Sequence, residues 1–180
     1  MAKEYELRVL EIDKNEIIQK LKKLNAKKVK AVTMKRVNYD GPREGSFLRL
    51  RDEGNKITLT YKYRLYKDSL EDTDEHEITV SDFEGCKLIL ENMGHKVESF
   101  QEQKREEYQL ENITYTVDTW PHIPTYLEIE APSKSTVEHG LELLQLENPK
   151  TTHLAGLGLF ELYGFKPSQC RHLVFENNAD

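Results

Sequence analysis

An α+β chain dominated by antiparallel strands is predicted by three observations. About eight segments alternate apolar with charged or polar residues at the two-residue period of a strand. Cap-like signals at Asp13 and Ser81 each open a helix between strands, and two more helical stretches follow the last strand. No composition break divides the 180 residues, so one domain with a sizeable core is expected over 1–165, followed by a tail at 166–180.

Residues 3–11 alternate as a strand, with Glu4, Glu6 and Arg8 on one face and Leu7 on the other. Asp13 with Glu16 forms a capping-box start for a helix to about Leu24, whose Ile17, Ile18, Leu21 and Leu24 share a side. Residues 27–39 read as a second, long strand. The turn Gly41-Pro42-Arg43-Glu44-Gly45 leads into Phe47–Arg51, and Glu53-Gly54-Asn55 turns into Ile57–Arg64, a hairpin. After a polar loop near 66–74, Glu75–Val80 is a strand, and Ser81 with Glu84 repeats the cap signal for a helix to about Asn92, stopped by Gly94.

Roughly 96–110 is strand-like, with Gln103, Arg105 and Glu107 in one phase. Glu111-Asn112 turns into Ile113–Asp118, where Thr114, Thr116 and Asp118 share a face. Trp120-Pro121-His122-Ile123-Pro124 is a stiff link to a strand over 125–131 that sets Glu128 and Glu130 together. Helices are expected over Ser135–Leu146 and about Thr152–Tyr163, capped by Gly164; Cys170–Asp180 carries no element signal.

Composition narrows the function. A net charge of −6 argues against bulk attraction to nucleic acid, so an anionic substrate needs a concentrated basic pocket. Cys86 and Cys170 lack metal or disulfide spacing, and the six histidines are scattered. No signal peptide or membrane-length apolar run is present, which makes the cytoplasm the expected location, with no membrane partner.

The polar parity collects Glu4, Glu6, Arg8, Arg49, Arg51, Lys62, Arg64, Glu75, Glu77, Arg105, Glu107, Asp118, Glu128 and Glu130. Such a set cannot be a dry core, because each unpaired buried charge costs several kcal/mol. An open sheet with a solvated face and a barrel with a wet, charged lumen both satisfy this condition. The chemistry favours a lumen: paired carboxylates suit magnesium or manganese, and Arg49, Arg51, Lys62 and Arg105 complement phosphate oxygens. Both together suit a metal-bridged polyphosphate.

The ordered series Glu4-x-Glu6-x-Arg8, Arg49-x-Arg51, Lys62, Glu75-x-Glu77, Arg105, Asp118 and Glu128-x-Glu130 resembles the CYTH family, named for class IV adenylyl cyclases and thiamine triphosphatases, within the triphosphate tunnel metalloenzymes. The resemblance covers roughly residues 3–163 and implies an antiparallel eight-stranded β-barrel, or tunnel, with flanking helices. It implies a triphosphate substrate and a divalent cation, Mg or Mn. Glu4, Glu6, Glu128 and Glu130, with Asp118 and Glu77, would form the metal side, and Arg49, Arg51, Lys62 and Arg105 the phosphate grip. Arg64 shares that parity and joins the grip or an ion pair holding the tunnel open. Arg8 departs from the family's usual Lys and does not release a proton near neutral pH, so Lys62 and Arg8 are the residues on which catalysis turns. Trp120 covers a turn or stacks on a base at the tunnel mouth.

The leading expectation is a metal-dependent phosphohydrolase acting on an inorganic, thiamine or nucleoside triphosphate. A class IV adenylyl cyclase and a non-catalytic polyphosphate binder are the alternatives. A homodimer is left open.

Overall fold

Alternation decides which way each strand faces, and the computed structural model, which describes residues 5–64 and 73–176, follows it. The first half of the chain forms β1 (Tyr5–Val9), α1 (Lys14–Lys23), β2 (Lys27–Asp40), β3 (Ser46–Asp52), β4 (Ile57–Arg64), β5 (Thr73–Val80) and α2 (Phe83–Asn92). The second half forms β6 (Val97–Leu110), β7 (Ile113–Thr119), β8 (Tyr126–Ala131), α3 (Lys134–Leu143), β9 (Thr151–Thr152), α4 (Leu157–Leu162) and β10 (His172–Leu173). β1 to β8 follow the expected strands; β9 and β10 are two-residue additions.

Contacts gather into two units, each discontinuous in sequence. Unit 1 holds the described residues up to Val32 with Gln103–Pro167, and unit 2 holds Thr33–Glu102 with the described residues from Ser168. The 14-residue strands β2 and β6 give a part to both. The strand order is β2-β6-β7-β8-β1-β9 in unit 1 and β5-β4-β3-β2-β6 in unit 2, where β10 adds in parallel to β6. The pairs β1–β8, β1–β9, β2–β3, β3–β4, β4–β5, β6–β7 and β7–β8 are antiparallel. The antiparallel α+β class therefore holds, with four α-helices among the described residues. Closure into an eight-stranded barrel does not follow from the pairing, since the strands number ten and neither order returns to its start among the described residues.

In unit 1, Val9, Tyr115, Val117, Leu127 and Ile129 face Ile17 and Leu21 of α1 and Val137 of α3. Burying each such side chain stabilises by roughly 1.5–3 kcal/mol before chain entropy is counted. α1 starts where expected, because the Asp13 carboxylate accepts from the N–H groups of Asn15 and Glu16 at 2.8 and 3.0 Å. α3 rides close to the sheet at Gly140, whose carbonyl accepts from the Tyr115 hydroxyl at 2.9 Å. In unit 2, Val37, Tyr39 and Leu50 pack under Phe83 and Leu90 of α2. Asp82, and not Ser81, caps this helix by accepting from the Gly85 N–H.

Two expectations change. The helix expected from Thr152 shrinks to Leu157–Leu162, because Gly156 takes a positive φ of 53° and Thr151–Thr152 pair with β1 instead. The tail, which carries no sequence signal, forms a 3-10 turn at Pro167–Cys170 and then β10. Gln101 Nε2 donates to the Cys170 carbonyl at 2.9 Å, and the Phe175 N–H donates to the Glu102 carboxylate at 3.1 Å. Among the described residues no helix is long and apolar enough to cross a membrane.

Candidate functional site

With Leu7 and Val9 turned toward the helices, Glu6 and Arg8 of β1 must face the other way, and register extends that polar face across unit 1. Arg8 stands opposite Glu128 and Glu6 opposite Glu130. β8 then sets Glu130 beside Thr114, Glu128 beside Thr116 and Tyr126 beside Asp118, which in turn pairs with Arg105 on β6.

Charges on this face are matched at short range. Arg8, only 5% exposed, donates Nη1 and Nη2 to the two Glu6 oxygens at 3.1 and 3.0 Å, and its Nη2 lies 2.6 Å from the Glu128 carboxylate. Arg105 grips Asp118, 0% exposed, through Nε and Nη2 at 2.8 and 2.6 Å. Burial opposes both guanidinium charges, yet the neighbouring Glu128 and Glu6 hold Arg8 up, as Asp118 and Glu128 hold Arg105. The Glu128 carboxyl is raised because burial outweighs the pull of Arg8 and Arg105. Glu107 lies 3.5 Å from Lys30 in a supporting ion pair.

In unit 2 the core takes Val37, Tyr39 and Leu50, so Arg36, Asn38, Arg49 and Arg51 share the opposite face. Register aligns Arg36, Arg51 and Thr58 in one row, Asn38, Arg49, Thr60 and Glu77 in the next, and Phe47, Lys62 and Glu75 in a third. Arg51 Nη2 lies 2.7 Å from Glu53 and 4.0 Å from Glu77, while Lys62 lies 2.8 Å from Glu75. Arg49 reaches Glu75 only at 3.9 Å. Burial and the adjacent Arg51 lower its guanidinium from the ordinary value. Burial raises Glu77, but hydrogen bonds from Thr60 and Lys56 outweigh it and leave the carboxyl lowered. The Nε atoms of Arg49 and Arg51 and the Thr58 hydroxyl are buried and have no hydrogen-bond partner among the described residues. Three unmet polar groups, two of them on the adjacent arginines themselves, suit an anion that offers several oxygens.

The expected site residues thus fall into two sets. Glu6, Arg8, Arg105, Asp118, Glu128 and Glu130 share the face of unit 1, and Arg49, Arg51, Lys62 and Glu77 share that of unit 2. Glu4 lies outside the described residues, as does the side chain of Arg64. Arg36 and Thr58 were not expected; the signal was phase, since Arg36 stands out of step with Val37 and Tyr39. Trp120 is 8% exposed, meets Phe160 edge-on at 5.7 Å and donates to the Tyr126 hydroxyl at 3.1 Å, so it is packed as a cover and offers no open stacking platform.

Magnesium or manganese asks for several converging oxygens. Among the described residues no three His, Cys, Asp or Glu side chains come together in that way. Glu6, Asp118 and Glu128 already spend oxygens on arginines, and Glu77 spends its own on Thr60 and Lys56. As paired, these four carboxylates do not fit a divalent ion.

A CYTH domain family model matches residues 2–154. A protein of Methanocaldococcus jannaschii, provisionally named an adenylate cyclase, is 26% identical over 172 residues, spanning 89% of this chain and 98% of that protein. A conserved hypothetical protein of Pyrococcus furiosus of solved structure is 25% identical with a TM-score of 0.65, over 87% of this chain and 99% of its own. A Hippeastrum structure, provisionally named an adenylyl cyclase and described as having a dominant triphosphatase activity, gives a TM-score of 0.57 at 16% identity over 93% of this chain and 98% of its own. That last likeness concerns the fold.

Proposed function

Because the chain belongs to the CYTH domain family, whose members are triphosphatases or adenylyl cyclases, we propose that it is a phosphohydrolase acting on a linear triphosphate, whether inorganic, thiamine-linked or nucleotide. The observation that carries this reading is the arginine pair of β3. Arg49 and Arg51 stand two residues apart on one face, their buried Nε atoms without a hydrogen-bond partner among the described residues, beside Lys62 on the neighbouring strand. Few ligands answer several fixed donors at once as well as a chain of phosphate oxygens.

In the proposed reaction water attacks the terminal phosphorus, the bridging P–O bond breaks, its electron pair leaves on the departing phosphate oxygen, and the proton of water is released. Arg49, Arg51 and Lys62 act by offsetting charge on the leaving phosphates. Lys62 and Arg8 are the cations on which the chemistry is proposed to turn, Lys62 as a compact ammonium and Arg8 as a fixed, permanently charged guanidinium. Family membership brings a magnesium or manganese requirement into the proposal, met by an ion arriving with the substrate, since Glu6, Asp118, Glu128 and Glu77 as paired hold none. Closure of the strands into a charged tunnel around the substrate belongs to the same proposal.

The name of the M. jannaschii relative favours a second reading, in which a ribose 3′-hydroxyl attacks the α-phosphorus of ATP and pyrophosphate leaves. That reaction needs the adenosine held in line. Trp120, the aromatic best placed in the sequence to hold a base, is packed against Phe160, which supports hydrolysis. Incubation with tripolyphosphate, thiamine triphosphate and ATP, with Mg²⁺ and with Mn²⁺, tests the choice. Orthophosphate release is expected; cyclic AMP with pyrophosphate as the main products would overturn it, and binding without turnover would make the chain a polyphosphate binder.

A further inference from the structure

We propose that Arg8 is a tethered cation occupying the seat a divalent ion would take between Glu6 and Glu128, so that these carboxylates bind neither Mg²⁺ nor Mn²⁺ while the protein is free of substrate. The inference deepens the triphosphate reading, on which it rests for treating this face as a functional one.

The argument begins with geometry. Both Glu6 oxygens accept from one guanidinium at 3.1 and 3.0 Å, and the same guanidinium lies 2.6 Å from Glu128. Two carboxylates from two strands thus converge on one positive group, which is the arrangement a hard cation would otherwise complete. The other Glu128 oxygen lies 3.9 Å from Arg105, which Asp118 holds by a two-pronged pair. A metal ion bound to Glu128 would therefore meet a positive neighbour on either side.

Arg8 has little freedom to yield. Its backbone is registered to Glu128 on one side and to Thr152 on the other, so the strand cannot shift without breaking pairing at both edges. Its side chain is 6% exposed, and withdrawal from the carboxylates would leave a buried charge unpaired. A lysine in its place would be a single point charge on a flexible stem, unable to fork across Glu6 and able to lose its proton. Arg8 does neither. A polyphosphate is the ligand able to draw it away, by offering oxygens that replace those of Glu6 and Glu128.

The test reads metal binding in the absence of substrate, so its outcome is independent of whether the chain hydrolyses any triphosphate. Free Mn²⁺ is followed by electron paramagnetic resonance as the full chain is titrated, with circular dichroism confirming the fold. The natural chain is expected to show no saturable site below about 1 mM, whereas Arg8→Gln gains one site at least about tenfold tighter. Arg8→Lys, which keeps a charge and serves if the Gln variant does not fold, is expected to fall between them. Tight Mn²⁺ binding by the natural chain that Arg8→Gln weakens or leaves unchanged would overturn the proposal. Absence of binding in all three folded proteins would overturn it too, because the emptied carboxylates would then be no metal seat.

Discussion

At the scale of single residues, the two arginine groups answer opposite needs. Arg8 and Arg105 are enclosed by carboxylates and help hold unit 1 together, whereas Arg49 is lowered by burial and by Arg51, its own neighbour in phase. A side chain held at an energetic disadvantage in the free protein is expected to serve a ligand. Arg49→Gln should therefore weaken tripolyphosphate binding by roughly tenfold to a hundredfold, the loss of one or two charge-assisted hydrogen bonds. The same change should leave the melting temperature unchanged or raised. Calorimetric titration with tripolyphosphate and a thermal melt check the two halves together; a large drop in stability with binding intact would show that Arg49 is structural. The phase of each of these residues was legible in the sequence. Their partners were not, because Arg8 meets Glu128 only through a register set more than a hundred residues away along the chain, and parity does not say which of several carboxylates a guanidinium will choose.

At the scale of elements, helices are fastened to strands by a few specific contacts. Glu106 of β6 receives Lys14 of α1 and Lys28 of β2, each at 2.6 Å. Burial pushes its carboxyl up, but those two hydrogen-bonded lysines outweigh burial and hold it down at about 2. The folded value lies below the ordinary 4.5, so this stabilisation is present above pH 4.5 and is lost as pH falls from there toward 2. Both lysines are more than a third exposed and therefore screened, which limits the effect to about 1–2 kcal/mol. Glu106→Gln should lower the melting temperature at neutral pH, with the gap to the natural chain closing in acid; a gap independent of pH would count against the ion pairs. Gly140 makes the second fastening. A Cβ there would lie 3.1 Å from Ile129 Cγ2 and from the Tyr115 hydroxyl. Gly140→Ala is thus expected to destabilise by about 1–3 kcal/mol in denaturant unfolding, although alanine is intrinsically the better helix former by about 1 kcal/mol. Strand phase and the Asp13 cap could be read in advance because both are local. The short α4 could not, since a positive φ at Gly156 and the pairing of Thr151–Thr152 with β1 are imposed by the fold and cut across a plausible helical run.

At the scale of the whole molecule, the antiparallel α+β class was visible from the number and alternation of the strands, and the family from the order of their charges. The division into two units was not visible, since composition is even along the chain and the boundaries at residues 32–33 and 102–103 fall inside the continuous strands β2 and β6. The interleaving constrains how the protein can be born. A ribosome delivers β1, α1 and the first part of β2 long before β7, β8 and α3, on which they pack, so the opening segment must wait while most of unit 2 emerges. Unit 2 waits in its turn, for β10 and Phe175 return to a stretch of β6 synthesised some seventy residues earlier. Unit 1 cannot finish until the stretch Thr33–Glu102 of unit 2 has been made, and unit 2 cannot finish until all of unit 1 has, so a nascent chain of this topology spends its youth with two incomplete sheets, a natural client for whatever shields exposed strands during translation.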